Sequence, residues 1–200
     1  MHGIIEIIKK NNKTFYNYSN GEPLNTLRFF LYKLLLSTII LLLFYNVTDK
    51  FMGAVLTIYS ILTGFSFNVL FYLMSIKKLN ENDKSLSLEK QTIQSKLNRL
   101  KDELFYNISY FNVISLLLIL LSIFFYMVES NSLKSIIELK ILLVNNFIKD
   151  YHSFVNLFSM LIKGGFKLFF YFLVIESLYT FLRVVVRINF YFNEKMKFDN

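Results

Sequence analysis

Four polar side chains recur at helical spacing in a largely apolar segment near the end of the chain. Within residues 170–192, FYFLVIESLYTFLRVVVRINFYF, they are Glu176, Thr180, Arg183 and Arg187. Steps of four, three and four residues place all of them on one face of a helix. A carboxylate in such a face can attract cations or carry a proton, so this spacing predicts ion binding or conduction.

Glu176 is the member of this face that most needs an explanation. An ionised side chain at mid-depth in a bilayer costs about 2.5–3.5 kcal/mol on insertion scales. Arg183 and Arg187 fall near the expected cytoplasmic boundary, where long side chains can extend to the headgroups. Glu176 lies about ten residues from the expected external end, roughly 15 Å deep at 1.5 Å per residue. We therefore expect Glu176 to face a partner or a water-filled lumen, or to be protonated.

Two further polar rows occur in apolar stretches of the chain. They are Thr57, Ser60, Gly64 and Asn68 in one stretch, and Asn112, Ser115 and Ser122 in the next. Small residues at this spacing permit close approach of helices, and polar ones can form hydrogen bonds between them. We interpret the Ser, Thr and Gly positions as packing contacts. Asn68 and Asn112 remain candidates either for gating or for hydrogen bonds between helices.

The composition indicates that these faces belong to membrane helices. Of the 200 residues 54% are hydrophobic and 23 are Phe, with six Gly and one Pro. Four runs, 29–47, 51–76, 104–128 and 166–188, approach or exceed the roughly 20 apolar residues that cross a bilayer. The predicted fold is an all-α membrane protein with four transmembrane helices.

Basic residues predict how these spans are oriented. Lys and Arg cluster before the first span, between the second and third, and after the fourth, whereas the turn at 48–50 carries Lys50 alone. By the positive-inside rule both termini are cytoplasmic. The net charge of +8 suits contact with anionic membrane lipids and could also attract a nucleic acid.

The spans and their flanks divide the chain into six segments. These are a cytoplasmic N-terminal segment (1–28), a transmembrane hairpin (29–76), a cytoplasmic helical linker (77–103), the third span (104–128), an external amphipathic helical segment (129–165), and the fourth span with a cytoplasmic tail (166–200). The external segment is interpreted as interfacial helices or as a re-entrant hairpin, with Gly164-Gly165 as a hinge into the fourth span.

The linker carries an apolar stripe of its own, formed by Leu86, Ile93, Leu97, Leu100 and Leu104. Its helical spacing predicts one long helix that continues into the third span. We expect the stripe to pack on a partner or on a second copy of the chain, with a solvated spacer as the alternative.

The sequence gives no sign of catalysis or of a bound cofactor. There is no Cys, the two histidines, His2 and His152, stand alone, and no phosphate-binding glycine loop or nucleophile motif is present. We therefore predict neither an enzyme nor a metal or other cofactor.

Two stretches carry a resemblance to a known family. ILTGFSFNVLFYLMS (61–75), then a charged helical linker, then KDELFYNISYFNVISLLLILLSIFF (101–125) resemble the Hailong-type transmembrane effectors of bacterial anti-phage defence operons. The resemblance covers the second and third spans with the linker. It implies an oligomeric, normally closed ion channel that depolarises an infected cell. It also implies a controlling partner that makes or senses a nucleic-acid signal.

Two functions follow as expectations. The first is a homo-oligomeric effector that forms a gated channel or pore in the inner membrane of a bacterium, in keeping with the Lys-, Asn- and Ile-rich usage of an AT-rich genome. Its candidate pore or gating residues are Glu176, Thr180, Arg183, Arg187, Asn68 and Asn112. Its candidate contacts for a soluble cytoplasmic partner or a nucleic acid are Lys90, Lys96, Arg99 and Lys101. The alternative is a non-conducting membrane-anchored sensor or scaffold that recruits a soluble effector.

The orientation can be tested with single cysteines, because the chain contains none. Lys13→Cys, Lys90→Cys and Lys195→Cys should react with an impermeant maleimide only after cells are permeabilised. Lys140→Cys should react in intact cells, because the positive-inside rule places it outside. Labelling of Lys90→Cys from the outside would reverse the assigned orientation.

Overall fold

The computed structural model describes residues 2–16, 24–44, 48–75, 87–129 and 151–199. These residues form the helices α1 (His2–Lys13), α2 (Thr26–Leu43), α3 (Asp49–Ser75), α4 (Leu88–Glu129) and α5 (Tyr151–Asp199). No β-strand occurs in the described part of the chain. The predicted all-α fold is therefore confirmed.

Four of these helices are long and apolar enough to cross a membrane. The qualifying segments are Thr26–Leu43, Lys50–Ser75, Leu88–Phe125 and Gly164–Phe198. Each overlaps one of the four predicted spans, so the chain is a multi-pass membrane protein by helix length and composition. The cytoplasmic assignment of both termini stays a prediction.

Two helices are much longer than a bilayer requires. α4 has 42 residues and α5 has 49, which correspond to about 63 Å and 74 Å at 1.5 Å per residue. The hydrocarbon core is only about 30 Å thick, so both helices continue beyond it. α4 joins the predicted linker to the third span without a break, which confirms the prediction of one long helix.

The start of α5 differs from the prediction. The helix runs through Gly164 and Gly165 without interruption, so the predicted hinge at this pair is wrong. A glycine lowers helix stability by only about 1 kcal/mol relative to alanine, which a long apolar helix can absorb. Residues 151–163, assigned to the external segment, belong to α5, and residues 130–150 lie outside the described residues.

The antiparallel pair of α4 and α5 forms the centre of the bundle. α3 packs against α4, α2 packs against α5, and α1 packs against α4. The predicted hairpin comprises α2 and α3, whose main packing partners are these two different central helices. The turn predicted at 48–50 is partly helical, since α3 begins at Asp49, and residues 45–47, which precede it, lie outside the described residues.

The apolar core has two parts. One consists of Met52, Val55, Tyr59, Phe111, Ile114, Leu118, Phe170 and Leu173. The other consists of Leu73, Leu97, Leu100, Leu104, Ile108, Val184 and Tyr191. The second part contains most of the linker stripe, so the expectation that the stripe packs on a partner or a second copy is wrong. The stripe is buried within the chain because α5 continues as a helix past the fourth span and covers it. Leu86 lies outside the described residues.

α2 is peripheral to this core. Ser37 is the one buried residue of α2 within the described part of the chain. Apolar side chains such as Leu35 and Leu42, 61% and 77% exposed, face outward. Lipid tails solvate such side chains as well as protein does, so apolar burial contributes little to holding α2 in place.

Leu104 tests the packing between α3, α4 and α5. Its side chain is fully buried, whereas Leu120 on the same helix is 64% exposed. Leu104→Ala should lower the free energy of unfolding by about 2–4 kcal/mol, because it leaves a cavity between helices. The matched Leu120→Ala should change it by less than about 0.5 kcal/mol. Thermal unfolding in detergent measures both values, and equal losses would contradict the packing described.

Candidate functional site

The polar face predicted on α5 lies inside the bundle. Glu176 is 5% exposed, Thr180 is fully buried and Arg187 is 2% exposed, while Arg183 is half-buried. The Thr180 hydroxyl donates to the main-chain oxygen of Glu176 at 2.8 Å, so its own helix satisfies it. The remaining three residues reach other elements of the chain.

Glu176 is paired with a cation from α2. Lys33 Nζ forms an ion pair with Glu176 Oε2. The Tyr110 hydroxyl on α4 donates to Oε1 at 3.1 Å. The Lys33 and Glu176 side chains are only 12% and 7% exposed. Both carboxylate oxygens are therefore occupied within the chain, and Glu176 faces a partner side chain.

Aromatic rings surround the ammonium group of Lys33. Its Nζ lies 4.8 Å from the ring centroid of Tyr179 and 5.7 Å from that of Phe15. The two rings stack on each other, with centroids 6.1 Å apart. Cation–π contacts of this kind contribute about 0.5–2 kcal/mol, more when the cation is desolvated. Arg183 also packs on these two rings, and its guanidinium carbon lies 3.7 Å from the Phe15 centroid.

A second cluster follows toward the C-terminal end of α5. Arg183 donates to Thr14 Oγ1 and, at 3.1 Å, to Asn107 Oδ1. Arg187 donates to the main-chain oxygen of Thr14, and its Nε lies 3.6 Å from Glu103 Oε2. Both arginines thus fix the chain just after α1 to the central helices. Arg187 does not extend to the headgroups as expected, because Glu103 offers it a carboxylate inside the protein.

Glu103 joins this cluster to the N-terminal segment. The Tyr16 hydroxyl lies 2.6 and 2.7 Å from its two carboxylate oxygens, and Arg99 Nε lies 3.0 Å from Oε1. The Arg99 guanidinium also covers the Tyr16 ring at 4.6 Å. We call the connected side chains from Lys33 and Glu176, through Arg183 and Arg187, to Glu103 and Arg99 the polar seam.

α1 is held beside this cluster by a contact to α4. Lys10 Nζ donates to the Tyr106 hydroxyl at 2.8 Å and lies 3.3 Å from Glu6 Oε1. The hydrogen bond to Tyr106, followed by that to Glu6, raises the pKa of Lys10 above its ordinary value. The ammonium form of Lys10 is thereby favoured.

Asn112 and Asn68 occupy opposite environments. Asn112 is buried, and Ser66 on α3 donates to its carboxamide oxygen, so it serves as a hydrogen bond between helices. Asn68 is exposed on the outer side of α3. The structure therefore brings Glu176, Arg183 and Arg187 together along the polar seam and leaves Asn68 apart from it.

Some hydrogen-bonding capacity in the interior is unused. Within the described residues, the amide nitrogens of Asn107 and Asn112 and the hydroxyl of Ser115 are buried without a hydrogen-bond partner. A buried donor without a partner costs about 1–3 kcal/mol. An arrangement that hydrates these groups would recover part of that cost.

The candidate partner contacts do not form one patch. Lys96 and Arg99 are exposed, and Lys90 and Lys101 are half-buried. Steps of six, three and two residues distribute them around α4. Arg99 is in addition engaged by Glu103 and Tyr16. Within the described residues, no group of three or more His, Asp or Glu could hold a metal ion.

Sequence reasoning missed several members of the polar seam. Lys33, Thr14, Glu103 and Tyr110 are not among the site residues predicted from the sequence. For Lys33 a signal was present: a single cation within FFLYKLLL, opposite in sign to the single carboxylate in the fourth span. For Thr14 there was none, because it lies in an ordinary polar stretch.

The ion pair makes a clear mutational prediction. Glu176→Gln and Lys33→Met should each destabilise the protein by about 3 kcal/mol, since each leaves the other charge buried without its partner. The double variant should recover much of that loss, and the exposed Lys50→Met serves as the control. Thermal unfolding in detergent gives the coupling energy. Purely additive losses would show that the pair is not coupled.

Comparison with known proteins adds no family to this description: no protein-family model, curated protein or solved structure matches the chain. The function is therefore inferred from the arrangement of its side chains.

Proposed function

We propose that this chain is the subunit of an oligomeric membrane protein that opens and closes an ion-conducting path, and that its copies meet through α3. The observation that carries the proposal is a row of small and polar residues on the outer surface of α3. The row consists of Gly53, Thr57, Ser60, Gly64 and Asn68, all exposed in the single chain. Their spacing of three to four residues keeps them on one face.

Asn68 is the member of this row whose exposure to lipid costs the most free energy. It lies seven residues before the end of α3 at Ser75, about 10 Å along the helix at 1.5 Å per residue. Its side chain makes no hydrogen bond with any described residue. Burying an amide in hydrocarbon without a partner costs about 4–8 kcal/mol. A second subunit, or water between subunits, supplies that partner.

The rest of the row allows a helix to come close. A Cβ added at Gly64 would meet nothing within 4 Å inside the chain. The space above it is therefore free for another helix, and small residues in this pattern favour such contacts in membranes. Around a symmetry axis the same row recurs on every subunit and can surround a polar path.

In this proposal the polar seam holds the subunit closed and does not line the ion path. Lys33 neutralises Glu176, so the pair presents no net charge to a passing ion. Thr180, Arg183 and Arg187 are likewise turned to groups of the same chain. These residues hold each subunit in a closed arrangement. Opening requires a movement of α2 relative to α5 that breaks the ion pair. The buried donors of Asn107 and Asn112 favour such a second, hydrated arrangement.

Regulation and setting complete the proposal. The defence role and control by a nucleic-acid signal are inferred from the resemblance of residues 61–75 and 101–125 to Hailong-type effectors. A soluble partner would reach the extension of α4 that carries Lys90, Lys96, Arg99 and Lys101. The bacterial inner membrane is the corresponding location.

One observation favours the alternative of a non-conducting scaffold. The ion pairs of the polar seam are formed within one chain, so the row on α3 could serve assembly alone. The long helices α4 and α5 would then hold a soluble effector at the membrane. Current across a bilayer separates this function from a channel.

Gly64 tests assembly without disturbing the subunit. Gly64→Leu should abolish oligomers in native mass spectrometry and abolish ionic current in planar bilayers, because the added side chain blocks the approach of a second α3. Subunit stability should not fall, since the space above Gly64 is open within the chain. The matched control is Gly165→Leu on α5, another exposed glycine with nothing within 4 Å of an added Cβ; it should keep both properties.

The oligomeric state and the ionic current of the wild-type protein distinguish the channel from the scaffold. Monomers in mild detergent would contradict the proposal, whereas oligomers that never conduct would favour the scaffold. In a conducting oligomer, Asn68→Leu should change the conductance if Asn68 lines the path. Thr38→Val, at an exposed polar position of α2, should not.

A further inference from the structure

The helix α1 presents three different faces around its axis. One faces α4 and contains Asn11, which is fully buried. The second is exposed and ends at Asn12, and its apolar members are Ile4, Ile5 and Ile8, which are 49%, 49% and 38% exposed. The third is charged and mainly basic, and it consists of Glu6, Lys9, Lys10 and Lys13. A helix with an apolar face beside a basic one is typical of a membrane surface.

The contacts of α1 place it at the boundary of the membrane. Lys10 Nζ donates to the Tyr106 hydroxyl at 2.8 Å, and Thr14, just after α1, donates to Asn107 Oδ1 at 3.0 Å. Both partners lie near the start of the third span, whose apolar run begins at Leu104. Four residues of a helix cover about 6 Å, whereas two neighbouring partners on α4 are only about 1.5 Å apart along its axis. α1 therefore crosses the end of the third span and does not follow α4 out of the membrane.

The faces of α1 fit this position. At 100° per residue, the centre of the exposed apolar face lies about 70° around the helix from Asn11. The apolar face is thus turned well away from the contact with α4. A bilayer surface beneath α1 and an upright span beside it satisfy both directions at once.

We propose that α1 lies on the membrane surface, with Ile4, Ile5 and Ile8 among the acyl chains and with Lys9 and Lys13 at the phosphates of anionic lipids. Lys9 and Lys13 are exposed, and neither forms a hydrogen bond or an ion pair with any residue that the structure describes. Both ammonium groups are therefore available to an anionic surface, which attracts lysines close to it. Lys10 is not required, since Tyr106 and Glu6 already engage it.

The lipid contact of α1 reaches the fourth span through the protein. Arg183 and Arg187 on α5 both donate to Thr14, which directly follows α1. A membrane surface that holds α1 thereby also holds the segment to which the fourth span is bonded. This contact is made by each subunit and does not depend on ion conduction.

Tryptophan fluorescence of the full chain in lipid nanodiscs tests the proposal, because the chain contains no Trp. Ile4→Trp should emit at short wavelength and be quenched by phospholipids that carry bromine on their acyl chains, since its indole would lie about 5–10 Å into the headgroup and acyl boundary. Ile5→Trp should behave in the same way. Lys13→Trp is the matched control, because Lys13 is exposed and lies about two and a half turns beyond Ile4, on the opposite side of α1. Its emission should stay at longer wavelength, with much weaker quenching.

Nanodiscs made of equal amounts of phosphatidylglycerol and phosphatidylcholine test the preference for anionic lipid. With bromine on only one of the two lipids, Ile4→Trp should be quenched more strongly by brominated phosphatidylglycerol, because Lys9 and Lys13 enrich that lipid beside α1. Adding Lys9→Gln and Lys13→Gln to this variant should make the two lipids quench equally.

Three results would contradict the proposal. Equal quenching of Ile4→Trp and Lys13→Trp would show that the apolar face does not enter the membrane. Short-wavelength emission from Ile4→Trp without quenching by brominated lipid would show that protein covers this face, whether a second copy or another chain. Equal quenching of Ile4→Trp by the two brominated lipids, with both lysines present, would overturn the assignment of Lys9 and Lys13 to anionic headgroups.

Discussion

A carboxylate buried in the hydrocarbon part of a membrane has no water to solvate it, so Glu176 requires a partner from the protein. Lys33 and Tyr110 supply that partner from two different helices. Ser37 is the one buried residue of α2 in the described structure. The contacts of α2 with α5 also include the hydrogen bond from the Tyr171 hydroxyl to the main-chain oxygen of Phe44 and the ring pair Phe30–Phe172. The ion pair is the charged contact among them and helps to determine where α2 sits against α5. Its Coulomb gain is partly offset by the desolvation of both charges, so its main effect is on specificity.

Polar contacts also determine helix packing along the rest of the bundle. In lipid, apolar side chains do not distinguish a neighbouring helix from an acyl chain, so polar contacts and close packing decide which helices meet. Tyr59 on α3 bonds to Ser177 on α5 at 2.5 Å, Ser66 bonds to Asn112, and Arg183 reaches Thr14 after α1. α5 thus touches every other element or its immediate flank through a polar side chain, which explains why its polar face lies inside.

Periodicity and length were enough to predict the four spans, the long helix α4 and the common face of Glu176, Arg183 and Arg187. They could not identify the partners, because spacing within one helix says nothing about which other helix faces it. Lys33 lies near the start of the first predicted span, where a basic residue serves equally well as an orientation signal. The leucine stripe at 97–104 was correctly predicted to be buried, but the covering surface was not, because the helical continuation of α5 was taken for a tail. The glycine pair at 164–165 predicted a hinge, but α5 continues through it as a helix.

Polar groups that have a partner inside the chain and polar groups that lack one have different functional consequences. Charges that are matched inside the chain, as Glu176 is by Lys33, stabilise one arrangement and are not available to an external ion. Polar groups left at the outer surface of a span, as Asn68 is, have a cost that only another molecule or water can remove. The ion pair inside the chain and the proposed assembly at α3 therefore follow from one physical requirement, applied at two places in the bundle.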